Sequence, residues 1–209
     1  MSMDNKANRD FTIYIVDDDQ EICDSLSNIF EEESLRAIYF RSARSFLRPI
    51  PLIGIGCILL DVNLPEMSGL EIQEHLDRVG SAMPIIFMTA YGDIPMTVKA
   101  LKAGASDFLE KPFRLQTLLD AVSQALNKYS KRLALHDEVD QVRNLASKLT
   151  PRESEVLKAV VAGKMNKQIA YDLNVQEITI KVHRASVMRK MKAKSLAELV
   201  RKVASIKEF

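Results

Sequence analysis

The chain predicts an α/β fold over its first 130 or so residues, a five-stranded doubly wound parallel sheet, followed by a small all-α domain. Three observations carry this. Short apolar runs alternate with amphipathic segments through the first part, as strands alternating with helices do. Runs such as CILL (57–60) and IIFM (85–88) are apolar at every position, which suits strands covered on both faces. After Leu149 the strand pattern stops and only helical spacing continues.

The predicted strands are Phe11–Asp17, Arg36–Phe40, Ile55–Asp61, Pro84–Thr89 and Ala105–Leu109. The predicted helices between and after them are Gln20–Glu32, Ser42–Leu47, Ser68–Val79, Ile94–Ala103 and Leu115–Tyr129. Pro49/Pro51, Pro65, Gly69, Gly80, Gly92, Gly104 and Pro112 punctuate the joints. No Gly or Pro interrupts Leu115–Leu149, where two apolar sets recur at helical spacing with a phase break between them. Either the last helix runs on into a helical linker, or a surface helix meets a polar connector. Boundaries of 1–130, 131–148 for the linker and 149–209 follow. In the last part, Thr150 is placed to cap a helix with Pro151 at its first position and Glu153 completing a capping box; Gly163 stops it. A short helix near Lys167–Leu173, a turn at Asn174–Gln176, a longer helix near Glu177–Met191 and a last one from Ser195 complete a helix-turn-helix domain.

Charge separates the two parts. Thr150–Phe209 carries 13 Lys/Arg against 6 Asp/Glu, a net of +7, whereas the remainder carries 16 against 22, a net of −6. The basic part points to nucleic acid. The longest apolar run, Leu52–Leu60, is too short for a bilayer span, so no membrane association is expected. The polar first ten residues hold no apolar core of a secretory signal. Two cysteines, Cys23 and Cys57, form neither a disulfide framework nor a metal-ligand spacing, and a reducing cytoplasm fits best.

The chemistry gathers at strand ends. Asp17 and Asp18 follow the first strand and Asp61 ends the third, and in a 2-1-3-4-5 sheet those strands are neighbours. Clustered carboxylates are tolerable around a hard cation, and Mg²⁺ takes one or two of them while accepting a phosphoryl oxygen. Asp19 is accounted for as a helix N-cap. Thr89 ends the fourth strand and Lys111 follows the fifth; a hydroxyl and an ammonium there suit the oxygens of a transferred phosphoryl group, with an aspartate as acceptor. An Asp at one strand end is ordinarily a turn residue, and a Lys before Pro is ordinarily solvated. The combination at four strand ends is what points to chemistry.

With these residues in place, VDDD, LLDVNLPEMSG, MTA and EKPF resemble the receiver domain of two-component response regulators, and TAYGDIPMTVKALKAGASDFLEKPF resembles FixJ-type receivers in particular. The resemblance implies a flavodoxin-like fold and phosphorylation of Asp61 by a sensor histidine kinase. It implies Mg²⁺ held by Asp17, Asp18, Asp61 and the Asn63 carbonyl, with Asp18 and Asp61 favoured as direct ligands. It further implies that Thr89 and Lys111 meet the phosphoryl group, that Phe108 is the switching aromatic, and that Lys111–Pro112 is cis. Ser68 stands where many relatives have Asp, and Phe108 where many have Tyr. A phosphatase of the haloacid-dehalogenase type is disfavoured, because DVNLP lacks the second acid and follows the third strand.

The helix near Glu177–Met191 turns Ile180, Val187 and Met191 to a core and Thr179, Lys181, Val182, Ala185 and Arg189 broadly the other way. The second face fits a major groove, with Val182 against a thymine methyl. Residues 148–209, through NKQIA and TIKVHR above all, resemble the LuxR/FixJ/NarL-type DNA-binding domain. That implies base contacts from Lys181, Val182 and Ala185, and backbone contacts from Asn166, Lys167, Thr179, His183, Arg184 and Arg189. The resemblance as a whole implies a transcription factor rather than an enzyme. It also implies that phosphorylation controls dimerisation and double-stranded DNA binding, activating transcription with RNA polymerase as a further partner. The alternative is a constitutive DNA-binding regulator whose receiver does not switch.

Overall fold

The computed structural model describes residues 11–48, 55–90, 92 and 94–206. The polar N-terminal segment, the Pro49/Pro51 joint and the first part of the Leu52–Leu60 run lie outside these. The chain divides into two compact units, Met1–Lys131 and Arg132–Phe209.

In the first unit β1 (Phe11–Val16), β2 (Arg36–Phe40), β3 (Ile55–Asp61), β4 (Ile85–Thr89) and β5 (Asp107–Glu110) alternate with α1 (Gln20–Glu32), α2 (Ala43–Leu47), α3 (Gly69–Arg78) and α4 (Ile94–Lys102). The strands pair in parallel in the order β2-β1-β3-β4-β5. Side chains alternate between faces, and both faces are buried. Ile13, Ile15, Cys57, Leu59, Ile86, Met88 and Leu109 pack with Leu26 and Phe30 of α1 and with Leu118, Val122 and Leu126. Tyr14, Val16, Ile58, Leu60, Ile85 and Phe87 pack with Phe46 of α2, Ile72 and Leu76 of α3 and Ala100 of α4. This is why the strands read as unbroken apolar runs. The predicted and observed ends differ by a residue or two, most at β5, which starts at Asp107 instead of Ala105.

After Pro112, α5 runs without a break from Leu115 to Ala146. Of the second apolar set, Val142 is buried in the core of the second unit, and Val139, Ala146 and Leu149 pack against it, while Leu135 remains 64 % exposed. The latter half of the segment 131–148 therefore contributes to the second core.

The second unit continues with α6 (Pro151–Val161), α7 (Asn166–Asp172), α8 (Glu177–Lys190) and α9 (Leu196–Ala204). Thr150 and Glu153 form the expected reciprocal cap on α6, an arrangement worth about 1 kcal/mol. Ile180, Val187 and Met191 are buried with Val156, Leu157, Ile169, Leu199 and Val203. Between α7 and α8, Asn174 takes φ 50°, a left-handed conformation that Asn tolerates better than most residues. Arg152 holds this turn by donating from Nη2 to the Leu173 carbonyl at 2.5 Å.

Candidate functional site

The carboxyl edge of the sheet in the first unit assembles the acidic cluster. Asp17 follows β1, its N–H bonded to the Phe40 carbonyl at the end of β2 (3.1 Å). Asp61 closes β3. Carboxylate oxygens of Asp17, Asp18 and Asp61 all lie within 4.8 Å of one another. Asp17 and Asp61 are buried, while Asp18 is exposed. Asp19 instead caps α1, accepting from the N–H groups of Glu21 (2.9 Å) and Ile22 (3.4 Å).

Lys111 reaches this cluster from beyond β5. Its N–H donates to the Thr89 carbonyl (2.7 Å), and its ammonium lies 2.5 Å from Asp17 Oδ2 and 3.5 Å from Asp61 Oδ2. The Lys111–Pro112 peptide is cis. The other oxygen of Asp17 accepts the Asp19 N–H at 3.1 Å, so both Asp17 oxygens are engaged by protein donors. Burial pushes the Asp61 carboxyl above the ordinary aspartate range; Lys111 and the Asn63 N–H oppose this, and Asp17 reinforces it. The Lys111 ammonium thus pairs with two of the three clustered carboxylates. Hard oxygen donors in negative excess fit a divalent hard cation such as Mg²⁺; Asp18 is the exposed member, and Asp61 lies farther from Lys111 than Asp17 does.

Thr89 is fully buried at the end of β4, and its hydroxyl accepts from Asn63 Nδ2 at 3.2 Å. This bond joins the β3–α3 loop to β4. The loop is drawn in because Gly69 passes so close that a Cβ there would sit 2.4 Å from the Asp61 carbonyl oxygen, and its N–H bonds to the Val62 carbonyl (2.9 Å). Phe108 is half-buried on β5, its ring centroid 6.2 Å from that of the buried Phe87. Gln73 of α3 donates to the carbonyls of Ala100 (3.3 Å) and Ala103 (3.1 Å), fixing the C-terminal end of α4.

The sequence-predicted DNA residues lie on α7 and α8 of the second unit. Lys167, Lys181, Val182, Ala185 and Arg189 are exposed; Asn166, Thr179, His183 and Arg184 are half-buried. Arg184 Nη1 donates to Asn166 Oδ1 at 2.6 Å, tying the middle of α8 to the start of α7. Lys181 lies 3.5 Å from Glu177 one turn earlier.

Two features escaped the sequence reading. Ile178 is 61 % exposed, one turn before Val182 at 63 %, so an apolar stripe opens the exposed face of α8; its spacing from Val182 and Ala185 was the available signal. The second is a buried network on Glu153. Glu153 accepts from the Lys190 ammonium (2.6 Å), the Ser186 hydroxyl (2.6 Å) and the Thr150 N–H (2.8 Å), and Lys190 also donates to the Lys148 carbonyl (3.2 Å). These bonds pull the Glu153 carboxyl down to about 2. The sequence marked Glu153 as a capping residue; its link to α8 needs tertiary contact.

A sheet of this order with an acidic, lysine-bridged rim, joined to a basic helix-turn-helix unit, defines a class of regulators, and comparison bears on it directly. The response regulator receiver domain model matches residues 13–123, and that of bacterial regulatory proteins of the luxR family matches 147–203. The chain belongs to the response regulators that join a receiver domain to a LuxR-type DNA-binding domain and regulate transcription. It is 47 % identical to nodulation protein W of Bradyrhizobium diazoefficiens over 90 % of this chain and 83 % of that one. It is 41 % identical to the transcriptional regulatory protein FixJ of Rhizobium meliloti over 92 % and 94 %. A low-resolution structure of the response regulator StyR matches with a TM-score of 0.87 at 44 % identity, covering 93 % of this chain and 98 % of that one. The homologues are transcriptional regulators and not enzymes. Among the described residues, no helix is long and apolar enough to cross a membrane.

Proposed function

We propose that Asp61 is the phosphoacceptor of this response regulator and that its phosphorylation governs dimerisation and DNA binding. The convergence of Asp17, Asp18, Asp61 and Lys111 on one rim carries this reading. A carboxylate oxygen of Asp61 attacks the phosphorus of a phosphohistidine on a sensor kinase; the P–O bond forms as the P–N bond breaks, and the electron pair leaves on the imidazole nitrogen. Lys111 pairs with the incoming phosphoryl oxygens, and the Thr89 hydroxyl turns toward them. Asp18 and Asp61, with Asp17 and the Asn63 carbonyl, would hold Mg²⁺, which would supply charge neutralisation for this transfer when bound. The acyl phosphate carries up to two negative charges where the carboxylate carried one, and Thr89 and Phe108 relay the change to the α4–β5 surface.

That surface offers Ile94 (81 % exposed), Val98 and Leu101 as an apolar stripe on α4, supporting a homodimer of the phosphorylated form. The dimer presents two α8 helices to paired half-sites of double-stranded DNA. Lys181, Val182 and Ala185 face bases, and Asn166, Lys167, Thr179, His183, Arg184 and Arg189 face the backbone. Transcription is activated through RNA polymerase in the cytoplasm. Functional boundaries at 1–130, 131–148 and 149–209 belong to the same reading.

A DNA-binding titration across salt concentrations, with and without acetyl phosphate and Mg²⁺, tests it. The expected result is a salt-dependent affinity that rises with the phosphodonor in wild type and not in Asp61→Asn. Equal affinity under all four conditions supports the constitutive regulator instead.

A further inference from the structure

We propose that Gly92 is the positioning residue that leaves the Phe108 ring its inner seat, and so sets how strongly the Asp61 site is coupled to the α4–β5 surface. The inference rests on the reading of Asp61 and Phe108 just given and assigns a residue to its regulation. A Cβ on Gly92 would lie 3.1 Å from Cε1 of Phe108, 3.7 Å from its Cζ and 3.3 Å from Cγ2 of Thr89. The first and last are closer than the 3.5–4.0 Å at which carbon atoms pack best. Gly92 therefore lies beside both residues of the relay at once, and a Cβ there requires the ring or the threonine methyl to give by a few tenths of an ångström.

The surroundings decide which group yields. Phe87, whose ring centroid lies 6.2 Å from that of Phe108, is fully buried in the core. The Thr89 hydroxyl is held by Asn63. The C-terminal end of α4 is held by Gln73. The half-buried Phe108 ring has a path to solvent, so it is the group displaced. A methyl at position 92 holds the ring off its inner seat in both states. Asp17, Asp18, Asp61 and Lys111 keep their places, so phosphoryl transfer proceeds while its message is attenuated.

The test uses the full chain as wild type, G92A, F108A and the G92A/F108A double variant, each with acetyl phosphate and Mg²⁺. Phosphorylation is followed by intact mass, dimerisation by sedimentation, and ring environment by ¹⁹F NMR of 4-fluorophenylalanine placed at position 108 in the wild-type and G92A backgrounds. G92A is expected to be phosphorylated within about twofold of wild type, to lose about tenfold of the phosphorylation-dependent gain in dimerisation, and to shift the ¹⁹F resonance before any phosphodonor is added. In the F108A background G92A is expected to have no further effect, which is the non-additivity of a shared contact. An unmoved resonance, an undiminished gain, a phosphorylation defect matching the loss of output, or losses that multiply in the double variant overturns the proposal. Should G92A fold poorly, rescue of folding by F108A supports the seat, and failure of the double variant overturns it. If wild type shows no phosphorylation-dependent gain, the reading of Asp61 fails, and the ¹⁹F arm still decides whether Gly92 seats the ring.

Discussion

The Lys111 ammonium lies 2.5 Å from a carboxylate oxygen of Asp17, closer than the 3.5 Å that separates it from Asp61. One cation therefore serves two buried acids and favours the one that is not the proposed acceptor. Asp61 is left the less neutralised of the pair, which suits a group that must meet a phosphoryl group and a divalent ion.

Removing that cation strands two buried carboxylates. Lys111→Ala is expected to lose on the order of 3 kcal/mol of stability without divalent ions. Because the cluster becomes more negative, Mg²⁺ is expected to recover more of the loss in the variant than it adds to wild type, by linkage to the folded state. Thermal melts against MgCl₂ concentration check both statements. A loss that Mg²⁺ leaves untouched argues against a cation site at this rim.

Asp61 works in the other direction. Its folded pKa is raised, chiefly by burial. A carboxyl raised on folding costs stability once the pH exceeds its unfolded value, since the folded protein then carries a disfavoured charge. Asp61→Asn, nearly isosteric and neutral, is expected to melt about 2–4 °C higher than wild type at pH 7 without Mg²⁺, as relief of about 1 kcal/mol does in a chain of this size. The gap is expected to close as the pH falls below the ordinary aspartate range. A variant that melts below wild type at pH 7 contradicts the charge argument.

Much of this rim was legible in the sequence because strand ends are: apolar β-branched runs stop where the acids Asp17 and Asp61 begin, the parallel pairing follows from the alternation of elements, and the order 2-1-3-4-5 is the typical one for five such strands. Lys111 and Thr89 were legible for the same reason. What spacing does not carry is contact across elements. Gly69 and Gly92 read as joints, and their close approaches to the Asp61 carbonyl and the Phe108 ring appear only when loops fold back on strands. The unbroken run of α5 into the second core was left open by a phase break in its apolar pattern, which arises because its two ends pack on different cores.

Glu153 gives a pH prediction for the second unit. Its carboxyl is held at about 2 by Lys190, Ser186 and Thr150, against an unfolded value near 4.5. A depressed carboxyl contributes stability that is complete above the unfolded value and is lost as the pH falls toward the folded one. Hydrogen exchange in α6 and α8 of the full chain is therefore expected to accelerate between about pH 4.5 and 2, once corrected for intrinsic rates. Glu153→Gln keeps one acceptor oxygen for the Thr150 N–H, turns its amide NH₂ toward the Ser186 hydroxyl, which can accept, and loses the charge opposite Lys190, so it is expected to cost on the order of 2 kcal/mol at pH 7. The difference from wild type should vanish at the acid end; a constant difference across this window assigns the effect to shape and not to charge.

The exposed stripe of Ile178 and Val182 calls for an apolar partner on the DNA. Apart from the thymine methyl, the base edges exposed in the major groove are chiefly hydrogen-bonding groups. Sequences selected by the full chain from a pool of random duplexes are therefore expected to hold thymine under this part of α8. Replacing those thymines by deoxyuridine removes the methyl and leaves every hydrogen-bonding edge intact. Wild type is expected to bind the deoxyuridine duplex about fivefold more weakly, the equivalent of about 1 kcal/mol. Ile178→Ala is expected to lose a similar factor on the thymine duplex and to discriminate less between the two. Equal binding of both duplexes by wild type removes the thymine methyl as the partner of this stripe.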